Sequence, residues 1–433
     1  MSTGGAHAPV KDAKSRPITA GGFVDGAPVI FLEITKQSGL DKFRHRSGSP
    51  EKSTILDAPG SGVGLLDYDN DGWLDIYLLN GSTAAALKGK EAPPRAMLFH
   101  NNHDGTFTDV SVKAGVADRE GRYGFASAFV DLDDDGWLDL VVANDSTPNY
   151  LYRNRRNGTF EDVSYLSGFA VNEEGRAQAS MGIGIGDYNR DGKVDLFVTT
   201  FSDDYKTLYR NDGDANFTDV SFRAGLGNPT IPFLAWGCGF LDFDNDSLLD
   251  IFIANGHVYP VADRTEWGTT WAERPQLFRN LDGAKFQEVP PATGSGLAVV
   301  VSARGAAFGD LFNDGHIDVV LNNIDAPPTL LRNAVKNENH WLTLKLVGGP
   351  KSPRDALGAK LFLTAGGVRQ RADVFSGGSY GSSSDPRVHF GVGAATKVDK
   401  LEIRWPSGAT EEILVPEIDR ILTVVEAKGI SLP

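Results

Sequence analysis

One nine-residue acidic loop occurs five times in this 433-residue chain, and each copy runs straight into a short apolar stretch. The copies read DYDNDGWLD (67–75), DLDDDGWLD (131–139), DYNRDGKVD (187–195), DFDNDSLLD (242–250) and DLFNDGHID (310–318). Carboxylates at positions 1, 3, 5 and 9, with a turn residue at position 6, set hard oxygen donors around a point where the backbone curls back, as Ca²⁺ requires. The candidate ligands are Asp67, Asp69, Asp71, Trp73 and Asp75 in the first loop and Asp131, Asp133, Asp135, Trp137 and Asp139 in the second. They are Asp187, Asn189, Asp191, Lys193 and Asp195 in the third, and Asp242, Asp244, Asp246, Leu248 and Asp250 in the fourth. The fifth keeps only Asp310, Asp314 and Asp318, because Phe312 stands at position 3. Four good sites and one deficient site are expected.

An EF-hand is the main rival for such a string, and it requires a bidentate Glu at position 12 followed by a helix. Position 12 is instead Leu78, Val142, Val198, Ile253 or Leu321, inside β-branched and aromatic runs. The loops therefore join strand to strand. A second signature keeps phase with the first: LFHNNHDGTFTDVS from Leu98, LYRNRRNGTFEDVS from Leu151, LYRNDGDANFTDVS from Leu208 and LFRNLDGAKFQEV from Leu277. Its apolar run, Asn/Gly turn and alternating tail read as a hairpin with an outer strand. Four strands per interval of 55 to 68 residues are blades, so the fold expected is all-β, a β-propeller with five countable repeats. FLEIT (31–35) matches the outer strand and is expected to close the ring.

The domains read as a flexible segment over 1–24, the propeller over 25–336, a small β-sandwich-like domain over 337–428 and a tail over 429–433. In the C-terminal part, 341–347 and 401–405 alternate in polarity and Gly366-Gly367 marks a hairpin turn. The run SGGSYGSSSD (376–385) reads as a Gly-rich connection in preference to a binding loop. The net charge of −15 is largely a property of the acidic loops, which five Ca²⁺ ions would reduce to about −5, so it gives no sign of a cationic partner. No basic stripe or aromatic nucleic-acid motif accompanies the 42 Lys and Arg, and no stretch reaches the length of a membrane span. Cys238, the only cysteine, reads as an inert buried thiol. The first 22 residues lack the apolar core of a signal peptide, yet loops without the bidentate Glu would fill best where Ca²⁺ is near millimolar. An extracellular or periplasmic monomer is expected.

The loops and their LYRN partners resemble FG-GAP or VCBS repeats, the integrin-α type of propeller blade. The segments LGAKLFLTAGG, FSGGSYGSSSDPRVHFGVG and LEIRWPSG resemble the ASPIC/UnbV domain, and the combination is similar to the cartilage acidic protein 1 family. That resemblance implies a binding or adhesion module for a protein or glycan, and a ring of up to seven blades.

If each acidic loop lies at one face, the loops after the second strands emerge at the other, where repetition gives way to insertions. They carry Asp145, Asp203, His257, Tyr259, Trp267 and Trp271, and loops entering the first strands add Arg122, Arg176, Trp236 and Arg304. These form the candidate ligand set. An enzyme of lyase or cyclase type is the alternative, with His257 and Tyr259 as base and acid, Asp203 orienting the His and Arg304 steadying an anion. Its signature would be His257 within hydrogen-bond reach of Asp203 or Asp145. A scaffold without a small ligand is the third reading.

Overall fold

The computed structural model describes residues 34–44, 46, 63–69, 71, 73, 75–80, 82–264, 268–292 and 295–431. Residues up to Asp41 form one unit and those from Lys42 a second. In the first, Thr35–Ser38 is a single helical turn ended by Gly39 at φ 81°. The strand expected over 31–35 therefore does not extend to Thr35: the Ser38 hydroxyl donates to the Thr35 carbonyl and holds the turn, and 31–33 lie outside the described residues.

In the second unit every acidic loop joins the first two strands of an antiparallel sheet. Blade 1 is Val63–Leu66, Asp75–Leu78, Met97–Asn101 and Phe107–Asp109. Blade 2 is Tyr123–Val130, Asp139–Asp145, Tyr150–Asn154 and Phe160–Asp162. Blade 3 is Ser180–Gly186, Asp195–Thr200, Thr207–Gly213 and Asn216–Asp219. Blade 4 is Ala235–Leu241, Asp250–Asn255, Gln276–Asn280 and Phe286–Glu288. Blade 5 has three strands among the described residues, Ala303–Gly309, Asp318–Asn323 and Thr329–Leu331. First strands pack beside one another in blade order, as in a β-propeller. In blades 2, 3 and 4 the apolar run after the loop is buried on both faces; Leu196, Phe197 and Val198 have no exposed surface, because neighbouring blades cover each side.

The second signature explains how blades are joined. The Asn that ends each LYRN segment donates one side-chain bond within its blade and one to the loop of the preceding blade. Asn211 Nδ2 reaches Val194 O at 3.1 Å and Leu132 O at 2.9 Å. Asn154 and Asn280 repeat the pair on Leu138 and Tyr68 and on Leu249 and Tyr188. The closing Ser of the DVS tail has a comparable task. Ser111, Ser164 and Ser221 accept the N–H of Leu98, Leu151 and Leu208 at 2.8 to 2.9 Å, tying the outer strand to the third.

Two sheets make the C-terminal sandwich. One runs Val388–Gly393, His340–Val347, Arg420–Val425 and Gly429–Ser431, and the other Val368–Asp373, Lys360–Ala365, Lys400–Arg404 and Thr410–Ile413. Leu342, Leu344, Leu361, Leu363, Leu401, Ile403 and Trp405 interdigitate between them. The sandwich rests on the acidic-loop face of the propeller. Lys360 Nζ lies 2.5 Å from Asp131 and 2.7 Å from Asp134, Arg371 reaches Asp134 at 3.0 Å, and His389 reaches Asn245 at 2.8 Å.

The SGGSYGSSSD run does connect two strands of the sandwich, Val368–Asp373 and Val388–Gly393, but it is not a short link across them. It is a finger that enters the propeller along the first strands. Ser376 and Gly377 pair with Phe129 and Ala128 of blade 2, and Ser379 exchanges both backbone bonds with Ile183 of blade 3. Tyr380 then reaches the far ends of these strands, with its ring 4.8 Å from Trp236 and 6.1 Å from Phe125. The chain returns along blade 5, where Asp385 N–H donates to Phe308 O and Arg387 reaches Asp310 O at 2.8 Å, back at the loop face. A cavity of about 370 Å³ remains beside the finger, walled in part by Cys238, whose thiol burial pushes up.

Candidate functional site

Each acidic loop is held by its own carboxylates. The position 1 Asp accepts the N–H of positions 5 and 6, as Asp187 does from Asp191 and Gly192 at 3.1 and 2.9 Å. The position 9 Asp accepts the N–H of position 2 and of the clamp Asn. Asp250 takes Phe243 at 3.2 Å and Asn280 at 2.8 Å, and Asp318 takes Leu311 at 3.1 Å and Asn333 at 2.8 Å. Position 6 needs a left-handed backbone: Gly136, Gly192 and Gly315 lie at φ 82 to 89°, and Ser247 is forced to φ 73° in the fourth loop.

These bonds do not satisfy all the carboxylate oxygens. Asp69 Oδ1 and Asp244 Oδ1, both at position 3, are buried without a hydrogen-bond partner. Carboxylate oxygens of Asp67, Asp69 and Asp71, of Asp131, Asp133 and Asp139, and of Asp242, Asp244 and Asp246 lie within 4.8 Å of one another. Burial raises Asp75 to about 7, Asp187 to about 6 and Asp250 to about 9, with nearby carboxylates adding to the shift; Asp139, Asp195 and Asp242 are raised well above the ordinary range. Converging buried anions with orphaned oxygens form a donor set that fits a hard divalent cation. In the fifth loop Phe312 is exposed with Arg332 stacked on its ring at 4.2 Å, so position 3 offers no oxygen there.

At the opposite face the expected ligand residues divide. Arg304 lies over the Trp236 ring at 4.3 Å and 5.9 Å from the Trp271 ring, and its guanidinium donates to the carbonyls of Ala303, Gly256 and His257. Among the described residues it makes no ion pair, Glu273 acts on it only through space, and burial lowers it to about 10. Tyr380 joins this group from the finger, and Asp145, raised by burial, acts on it through space. Arg122 is buried elsewhere, stacked on Tyr150 at 3.9 Å and bonded to Glu120 and the Pro148 carbonyl, and Arg176 pairs with Glu174 at the surface. Trp267 lies outside the described residues.

His257 is 2% exposed; its Nδ1 accepts the Tyr259 N–H at 3.1 Å, and burial lowers its pKa. Asp203, held at φ 61°, influences it only through space, and no hydrogen bond joins His257 to Asp203 or Asp145 among the described residues. Three residues near this face escaped the sequence reading. Glu273 is buried and raised to about 7 by burial while it accepts Leu234 N–H at 3.0 Å; Lys206 is fully buried, lowered to about 7, and bonded to the Phe201 and Asp204 carbonyls. Tyr380 was hidden in a low-complexity run. Nothing in the local pattern around these three distinguishes them from core or linker residues.

With loops, blades and sandwich in place, the matches to known families fall where the geometry puts them. Residues 67–142, 131–198 and 187–253 match the FG-GAP-like repeat, and residues 349–431 match the ASPIC and UnbV domain. The chain is an FG-GAP-repeat β-propeller with a C-terminal ASPIC/UnbV domain. Its relatives include cartilage acidic protein 1 of Xenopus tropicalis, 24% identical over 92% of this chain and 70% of that protein. The Homo sapiens protein of that name is 26% identical over 84% of this chain, which spans 53% of its length. Integrin alpha-6 of Gallus gallus is 26% identical over 54% of this chain and 21% of its own. No helix among the described residues is long and apolar enough to cross a membrane.

Proposed function

We propose that this chain is an exported, calcium-loaded binding module that engages a protein or glycan through the propeller face away from the acidic loops. Asp131, Asp133, Asp135 and Asp139, with their counterparts in the third and fourth loops, would hold calcium together with the position 7 carbonyls, and Asp67, Asp69, Asp71 and Asp75 make the first loop a divalent-cation site as well. Bound Ca²⁺ supplies positive charge that neutralises each loop and fixes its hairpin. The protein's own contribution is the hydrogen-bonded frame that presents position 3 oxygens inward.

The observation that carries the binding reading is Arg304. A partly buried guanidinium between two indoles, bonded to three carbonyls and the Ser302 hydroxyl, has no carboxylate within ion-pair distance among the described residues, and such a group pairs well with an anionic group on a ligand. Trp271 and Tyr380 offer partly exposed ring faces beside it. His257 is buried and is joined by a hydrogen bond to neither Asp203 nor Asp145 among the described residues, which gives no comparable support to the base and acid pair. Likeness to integrin alpha-6 and cartilage acidic protein 1 supports a binding role and an external compartment. The test is an array of acidic and neutral oligosaccharides and matrix proteins, probed in 1 mM Ca²⁺ with the native protein and Arg304→Ala. Binding that falls at least tenfold in the variant supports the reading, and equal binding by both refutes it.

A further inference from the structure

In every blade the residue before the clamp Asn is basic: His100, Arg153, Arg210, Arg279 and Arg332. Three of the arginines reach their own blade's loop. Arg153 Nε lies 3.4 Å from Asp133, Arg279 Nη2 lies 2.7 Å from Asp244 and 3.1 Å from Asp246, and Arg332 Nη2 lies 3.1 Å from Asp314. Arg210 turns to Asp212 instead, at 2.6 Å. Blade 1 alone puts an imidazole where the others put a permanent cation, and an imidazole can donate a lone pair to a metal.

The geometry around His100 fits that use. Nδ1 is 3.4 Å from Asp69 Oδ2 and 3.3 Å from Asp75 Oδ1, yet it makes no hydrogen bond and is buried; Asp69 Oδ1 is likewise buried and unpartnered. Ligand atoms of Asp69, Asp75 and His100 lie within 4.8 Å of one another. Two donors each about 2.1 Å from one ion, at tetrahedral angles, stand about 3.4 Å apart. The Tyr68 ring meets the imidazole edge-on, with centroids 6.0 Å apart, and sets its plane. Asp71 Oδ2 is engaged by His103 Nε2 at 2.6 Å, and the His103 ring stacks on Trp73 at 4.7 Å. Arg156 holds Asp135 in the same way in blade 2, also at 2.6 Å, so His103 keeps the role of that arginine, and of the two imidazoles only His100 turns a nitrogen to both Asp69 and Asp75.

We propose that the first loop is a mixed nitrogen and oxygen site for a first-row transition ion such as Zn²⁺, with His100 Nδ1, Asp69 and Asp75 as its protein donors. Calcium takes oxygen ligands, whereas imidazole suits zinc and its neighbours, so replacing Arg by His changes which ion this loop prefers. The inference rests on reading the acidic loops as cation sites, and makes the first one distinct among them.

The test uses the full chain stripped by chelation, reloaded with 1 mM Ca²⁺ and titrated with Co²⁺ as the spectroscopic substitute for Zn²⁺. One equivalent should bind with a visible ligand-field band, and Zn²⁺ should displace it. His100→Arg restores the residue of the other blades, so it should fold normally and keep its calcium-dependent rise in melting temperature while losing at least tenfold in Co²⁺ affinity. His103→Asn should keep Co²⁺ binding. The proposal is overturned if native protein takes up no Co²⁺ beside calcium, or if His100→Arg binds it as well as the native chain. Calcium that fails to raise the melting temperature, beside His100-dependent Co²⁺ binding, would refute the calcium reading and uphold this one.

Discussion

Replacing Asn211 by Ala tests how the blades are held together. Asn211 has no exposed surface; its amide donates to Leu132 O in blade 2 at 2.9 Å and to Val194 O in its own blade at 3.1 Å, and its Oδ1 accepts Gly213 N–H at 2.9 Å. Alanine removes all three bonds. At about 1 kcal/mol net for each, with a further cost for buried groups left unpaired, the loss is about 3 to 4 kcal/mol. Asn102 is the control, since it is exposed and bonds only across its own turn, to Thr106 and Thr108; Asn102→Ala should cost under about 0.5 kcal/mol. Urea unfolding followed by tryptophan fluorescence, with calcium held at 1 mM, measures both. A loss below about 1 kcal/mol for Asn211→Ala, or one no larger than that of Asn102→Ala, would mean that the second signature only shapes a hairpin and that blade joining rests on apolar contact alone.

Chelation should lower the melting temperature in a scan with and without EDTA, by the loss of about 1.4 kcal/mol per site for dissociation constants near 10⁻⁴ M at millimolar calcium. In the chelated protein the raised carboxyls reverse the usual trend. Asp75, at about 7 when folded, binds its proton more tightly than in the unfolded chain, so its contribution is present in full below about pH 4 and lost as pH rises to 7. EDTA-treated protein should therefore melt lower at pH 8 than at pH 5.5, a gap that calcium should close. Ser247→Gly should stabilise by about 1 kcal/mol in urea, because φ 73° strains Ser and suits Gly. Gly315→Ala should do the reverse. Its Cβ would fall 2.0 Å from the Trp341 indole, at a cost above about 2 kcal/mol, and lifting the sandwich there should expose segment 375–387 to limited proteolysis.

How much of this could be read from the sequence depends on whether a residue acts along the chain or across it. The acidic loops were legible because their position 1 and position 9 carboxylates bond N–H groups of the same loop, and the strand-to-strand setting followed from position 12. The LYRN Asn was visible as a repeat, but its partner carbonyl lies some 80 residues away, so its clamp role was not. The path of the connecting finger was not legible for a different reason. A Gly and Ser run carries no periodicity, and its meaning lies in the strands that receive it. Those strands did hold part of the signal, in MGIGIG and RGAAFG, where Gly182, Gly305 and Gly309 face the finger while other glycines of the first strands admit the neighbouring blade. Glycine inside a strand marks close approach by another backbone. A Cβ on Gly182 would stand 2.2 Å from Trp236 O and 3.2 Å from Ser379 O, and one on Gly305 would stand 2.5 Å from the Ser382 hydroxyl. The propeller's inner surface is thus pared down where the finger lies. The sandwich that sends Lys360 to the acidic loops also delivers Tyr380 to the opposite mouth, so the two faces of the propeller are linked through one segment of chain, and both lose a contact in a propeller expressed without its C-terminal domain.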